Sequence, residues 1–196
     1  MNAVVRQTEF ALPAEPRRHR FTLEEVLAIQ AAGILDGERT ELIDGEIVHM
    51  PSDGELHQRW SRALTLWLAK TLDPDRHAFL VSTTLRVGVS WAPSPDFFVY
   101  PAEADEGEVT AENVLLVVEE SDSSLQHDLR AKPADYARHG VREYWAIDLN
   151  ARRIHVHREP GPDGYVSVQV FERDQPAPAL LIPGLTLRLA DLPRVG

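Results

Sequence analysis

The sequence predicts a mixed α/β fold: one β-sheet flanked by helices, with β-hairpins added toward both ends. Three observations carry this reading. Helical and strand periodicities alternate through the middle of the chain, which argues for a mixed sheet rather than a regular doubly wound one. Asp44-Gly45 separates two short apolar runs, the strongest short-range hairpin signal. A second alternating pair, residues 153–158 and 165–172, flanks the turn sequence Pro160-Gly161-Pro162-Asp163-Gly164.

Each element has a local reason. Thr22 with Glu25 three residues later forms a capping box with Phe21 as staple, so a helix starts there, runs to about Ala32 and stops at Gly33. Leu56, Trp60, Leu64, Trp67 and Leu68 repeat at helical spacing and predict a second helix over 55–72. Strands follow near 78–87, 96–100 and 114–119, with an acidic loop over 101–112 between the last two. Pro133 suits a first helical position and Gly140 the residue past the end, giving a third helix over 133–139. Residues 143–148 read as a strand, and 185–189 as a last one after the Pro/Ala-rich stretch 175–183.

Composition narrows the function. The chain has 196 residues, 43% of them hydrophobic, which is enough for one packed domain. Residues 1–20 read as a flexible arm and 21–196 as a single domain. The absence of Cys excludes disulfides, thiolate zinc sites and a cysteine nucleophile. No apolar run reaches the roughly 18 residues of a membrane helix, and the N-terminus lacks the apolar core of a signal peptide, so a cytoplasmic protein is expected.

Twenty Lys and Arg against 31 Asp and Glu leave a net charge of -11, which excludes a non-specific DNA coat. Residues 87–129 hold ten of the acids and no Lys or Arg. That segment is either a solvated acidic loop or a set of oxygen ligands for a divalent cation. Only Lys70 and Lys132 are lysines, and Arg cannot replace a compact ammonium with a removable proton.

The chemistry-bearing set is Asp96, Glu119 and Lys132. Pro95-Asp96 leads directly into the apolar strand Phe97-Phe98-Val99-Tyr100, and Glu119 ends the apolar run Leu115-Leu116-Val117-Val118. If those strands are neighbours, both carboxylates emerge at one sheet edge, where they repel unless a cation sits between them. On spacing alone, strand-end acids and a solvated Lys explain the same residues. His155 and His157 share a strand face as a second possible metal pair, but no third ligand is evident nearby.

With these residues the chain resembles the Uma-type family of restriction endonucleases, within the PD-(D/E)XK nuclease superfamily. The likeness spans roughly residues 20–170. It rests on Glu41-Leu42-Ile43-Asp44-Gly45-Glu46-Ile47-Val48, His57, Pro95-Asp96, Leu116-Val117-Val118-Glu119, Asp128-Leu129 with Lys132 and Tyr136, and Gly140-Val141-Arg142-Glu143-Tyr144-Trp145 with Asp148. The resemblance implies a restriction-endonuclease-like sheet and hydrolysis of DNA with Mg²⁺ or Mn²⁺. It assigns the metal to Asp96, Glu119 and the backbone carbonyl of Glu120, and the water-handling role to Lys132. Glu41 is the additional acid, with His57 and Tyr136 as accessory residues. In the superfamily pattern the Lys lies two residues after the Glu, where this chain has Ser121, so Lys132 fits a migrated form. The chain also departs from the family in carrying Glu120 and Asp122 beside the site, and Pro133 directly after Lys132.

A homodimer suits cleavage of two strands and could bring Arg17, Arg18, Arg59 and Arg62 together against phosphate. Two other functions fit the same residues: a catalytically silent binding protein on a nuclease scaffold, and a phosphodiesterase for a smaller or RNA substrate.

Overall fold

The computed structural model describes residues 18–193. Residues 1–17 of the expected arm, Arg17 among them, lie outside that range. Helix α1 (Leu23–Ala31) begins with the expected capping box, and Gly33 takes a positive φ of 74° beyond its end. Strands β1 (Thr40–Ile43) and β2 (Glu46–His49) form the hairpin, with Asp44 and Gly45 at φ 49° and 76°, the left-handed pair that a tight two-residue turn requires. Helix α2 (Glu55–Thr71) follows.

The main sheet has six strands in chain order: β3 (His77–Val81), β4 (Phe97–Pro101), β5 (Leu116–Ser121), β6 (Glu143–Asp148), β7 (Arg153–Gly161) and β8 (Gly164–Glu172). All neighbours are antiparallel except β5 and β6, whose parallel pairing needs a crossover; α3 (Leu125–Asp128) and α4 (Ala131–Arg138) supply it. Among the described residues, no helix is long and apolar enough to cross a membrane.

The sheet's two faces have separate cores. Trp60, Leu64 and Leu68 of α2 pack on Phe97, Val99, Val118, Trp145 and Ile147. On the opposite face Tyr136 of α4 packs with Phe98, Val117 and Tyr144. Each such buried side chain contributes roughly 1.5–3 kcal/mol from lost apolar exposure, which fixes both helices against the sheet.

Several expected boundaries move, each for a physical reason. The strand expected over 78–87 ends at Val81, where Ser82 adopts φ 47°; farther on Leu85 N–H still donates to the Pro93 carbonyl at 2.8 Å, but Pro93 has no N–H to return the bond. The helix expected over 133–139 starts at Ala131, leaving Pro133 in the first turn, where its missing N–H costs no intrahelical bond. The turn before it, α3, was not expected. The hairpin strands β7 and β8 extend to Gly161 and Gly164, so the connection is only Pro162-Asp163. The last strand shrinks to β10 (Thr186–Leu187), paired with β9 (Ala177–Pro178), and Leu189–Asp191 is a 3-10 turn.

Candidate active site

Strands β4 and β5 run antiparallel with Phe97 opposite Val118, so Asp96 at the start of one meets the Glu119-Glu120 end of the other. The acidic loop therefore lies at the far end of this pair. Its acids Glu103, Asp105, Glu106, Glu108 and Glu112 are all exposed. The other five acids of the segment, Asp96, Glu119, Glu120, Asp122 and Asp128, line one cavity. Half of the acidic segment is thus an exposed loop, and the other half lines a cavity.

Strand alternation divides the consecutive acids. Glu119 shares the Val117 face and meets α4: Lys132 Nζ lies 2.8 Å from its Oε1, and the Tyr136 hydroxyl donates to the same oxygen at 3.2 Å. Lys132 Nζ is also 3.8 Å from Asp128 Oδ1. Glu120 shares the Val118 face and meets α2, where Ser61 donates its hydroxyl to Oε2. Between them, Asp96 Oδ2 accepts the Glu120 backbone N–H at 2.7 Å, and Asp96 Oδ1 lies 3.2 Å from His57 Nε2. Ser61 Oγ is 3.2 Å from His57 Nδ1, completing a chain of polar contacts along α2. Arg39 pairs with Asp53 and reaches to 3.9 Å of Asp96.

Asp96, Glu119, Glu120, Lys132 and Glu41 are all buried, and all line the cavity together with His57. Tyr136 stands behind it and is fully buried. Seven carboxylates face two strong cations there, Arg39 and Lys132.

The electrostatics follow from that excess. Burial raises Glu119 above the usual carboxylate range, against the pull of the Lys132 ammonium. Burial and the charge of Asp96 raise Glu120 to about 8, against its Ser61 bond. Burial disfavours a charge on His57, yet the Asp96 carboxylate outweighs it and holds the imidazole up to about 9. Burial likewise disfavours the Lys132 ammonium, but Glu119, Glu41 and Asp128 keep it above its ordinary range.

Residues 23–190 match the sequence model of the Uma2 family, described as "Putative restriction endonuclease". The chain belongs to the Uma2 family. A crystal structure of "a putative nuclease belonging to DUF820" from Anabaena variabilis superposes with a TM-score of 0.67 at 19% identity, covering 87% of this chain and 96% of that one. At that identity the likeness is one of fold, and it supports the nuclease-like mixed sheet. No curated protein sequence matches the chain.

In this Uma2 protein, Asp96, Glu119, Glu120, Lys132, Glu41, His57 and Tyr136 all lie in or directly behind one cavity, whereas His155 and His157 lie outside it. The sequence reading gave Glu120 a role only through its backbone carbonyl; its side chain belongs to the cavity as well. Arg39 and Ser61 were not foreseen. Ser61 had a usable signal, one helical turn after His57 on the same face. Arg39 had none, because its approach to Asp96 depends on how the hairpin packs. His155 and His157 do share a face, but His157 is flanked by the rings of Tyr144 and Tyr165. Among the described residues, the His, Asp and Glu side chains close enough to share an ion are His57, Asp96 and Glu120.

Proposed function

We propose that this Uma2 chain is a divalent-metal-dependent endonuclease that hydrolyses DNA phosphodiester bonds. The observation that carries the proposal is the buried Lys132–Glu119 contact of 2.8 Å in a cavity shared with Asp96. The residues fit a cation. Hard oxygens dominate the lining, and Glu41 Oε2 is buried with no hydrogen-bond partner.

Asp96, Glu119 and the backbone carbonyl of Glu120 would hold Mg²⁺ or Mn²⁺, both oxygen-seeking ions. Such an ion polarises a phosphate and acidifies a bound water. The chain's own residues do the rest. Lys132 orients the attacking water, which loses its proton to bulk solvent as it bonds to phosphorus, and offsets the charge that builds on phosphate oxygen as the P–O bond of the leaving strand breaks and that oxygen takes a proton from solvent. Glu119 fixes the Lys132 head group, and Tyr136 fixes Glu119 by donating to the same oxygen. His57 orients Asp96 from α2, and Glu41 adds negative charge that favours metal loading.

The proposal includes a single domain over 21–196, a homodimer that offers Arg18, Arg59 and Arg62 to the DNA backbone, and a cytoplasmic setting. The test is plasmid cleavage with Mg²⁺ or Mn²⁺ by the parent, Asp96→Ala and Lys132→Ala. Each variant is expected to fall by about 100-fold or more. Equal activity in all three marks a contaminant and ends the assignment. The acid excess of the cavity favours a second reading, a smaller phosphoester as substrate. It is separated by salt, since DNA binding weakens steeply as salt rises.

A further inference from the structure

Glu119 is engaged on the α4 face, which leaves Glu120 to be explained. Its side chain is 3% exposed, and Oε1 is buried with no hydrogen-bond partner while Ser61 holds Oε2. Leaving a buried carboxylate oxygen unpaired costs on the order of 1–3 kcal/mol, so the fold keeps this acid at a penalty. Across from it stand Asp96 and His57. One donor atom from each of the three side chains lies within 4.8 Å of the other two. Ligand atoms about 2.1–2.3 Å from a common ion stand about 3.0–3.7 Å apart, or about 4.6 Å if trans; His57 and Asp96 already meet that spacing at 3.2 Å, and Glu120 would close in on them around a cation.

We infer that His57, Asp96 and the Glu120 side chain form a cation site of their own on the α2 side of β5, with one imidazole and two carboxylate ligands. This goes beyond the proposed function, which uses Asp96, Glu119 and the Glu120 backbone. Asp96 is the residue common to both, and its contacts support this placement: Oδ2 takes the Glu120 N–H while Oδ1 faces His57. A nitrogen ligand changes which ions bind. Imidazole binds first-row transition ions, most weakly Mn²⁺ and more tightly toward Zn²⁺, whereas Mg²⁺ takes oxygen ligands and gives up its waters reluctantly. The site is therefore selective for Mn²⁺, Co²⁺ or Zn²⁺ over Mg²⁺. Ser61 is its positioning residue, bonded to both Glu120 and His57.

The rival explanation is an ion pair only, with His57 acting as the counter-charge of Asp96 and no metal ligand. Pulsed electron paramagnetic resonance of the full chain loaded with one equivalent of Mn²⁺ separates the two. Imidazole nitrogen coupling is expected in the parent and is expected to vanish in His57→Gln. Calorimetry should show Mn²⁺ affinity falling at least about 10–100-fold in His57→Gln and in Glu120→Gln, with a smaller fall in Mg²⁺ affinity in His57→Gln, where only the orienting contact to Asp96 is lost. Parent protein with no nitrogen coupling, or with no Mn²⁺ binding, overturns the site without reference to any variant's folding. Parental Mn²⁺ affinity in both variants overturns it as well. The two proposals fail separately. Nitrogen coupling without plasmid cleavage sinks the nuclease and keeps the site. Cleavage that needs Asp96 and Lys132 but shows no nitrogen coupling does the reverse.

Discussion

Replacing Glu120 with Gln should make the metal-free protein more stable, and by an amount that depends on pH. In the fold this carboxyl is raised from an ordinary 4.5 to about 8, mainly by burial and then by the charge of Asp96. A raised carboxyl means that the folded state holds its proton more tightly than the unfolded chain does. Below pH 4.5 both states are protonated and Glu120 exerts no penalty. As pH rises from 4.5 to 8 the unfolded chain releases the proton first, and stability falls. Above pH 8 both states are ionised and the penalty is complete. At about 1.4 kcal/mol per pH unit the full penalty is roughly 5 kcal/mol. Gln removes it while offering Ser61 an amide oxygen to bond. Urea unfolding in EDTA at pH 5, 7 and 9 measures the difference. Glu120→Gln and parent should be close at pH 5 and diverge by several kcal/mol at pH 9, equivalent to roughly 10 °C or more in Tm. A difference that stays constant from pH 5 to 9 would refute the buried-acid account.

Two further substitutions probe other parts of the structure. His157 is buried beside Tyr144 and Tyr165, its Nε2 has no partner, and burial followed by the nearby His155 lowers it from 6.5 to about 4. The unfolded chain then binds the proton first, so stability is intact above pH 6.5 and declines as pH falls toward 4. His157→Phe should remove about 2–3 kcal/mol of that decline, read as a flatter Tm profile between pH 6.5 and 4. Tyr136→Phe deletes the 3.2 Å bond to Glu119 and should cost about 1.5–3 kcal/mol by urea unfolding. The same variant should lower plasmid cleavage, and an unchanged cleavage rate would show that the hydroxyl does not position Glu119.

The legible parts of this protein were those set by local chemistry. Asp44-Gly45 and the Thr22–Glu25 box declare themselves because the turn and the cap are satisfied within a few residues. Residues 143–148 emerged with the expected bounds, since strand β6 is buried on both faces and its apolar run has polar residues at either end. Residue type and spacing alone left Asp96, Glu119 and Lys132 open to a bland explanation, and the family resemblance is what singled them out; the antiparallel β4–β5 register brings the acids together. What stayed hidden depends on partners far along the chain. Nothing in Glu119-Glu120 says that α4 will cover one and α2 the other; that follows from which side of the sheet each helix crosses. The α2 contacts of Glu120 and the approach of Arg39 to Asp96 arise in the same way, from packing between elements.

The end of the β3–β4 ladder has a consequence for how the cavity responds to its surroundings. Pro93 and Pro95 have no N–H to give, so Pro93 accepts from Leu85 without returning the bond, and Asp96 is the first residue past the second proline. Most features of this site respond to pH or salt: burial raises Glu120, and exposed ion pairs weaken as salt rises. The missing donors respond to neither. The rim on which Asp96 sits is therefore set in part by covalent structure, through two prolines that lack a donor at any pH or salt concentration.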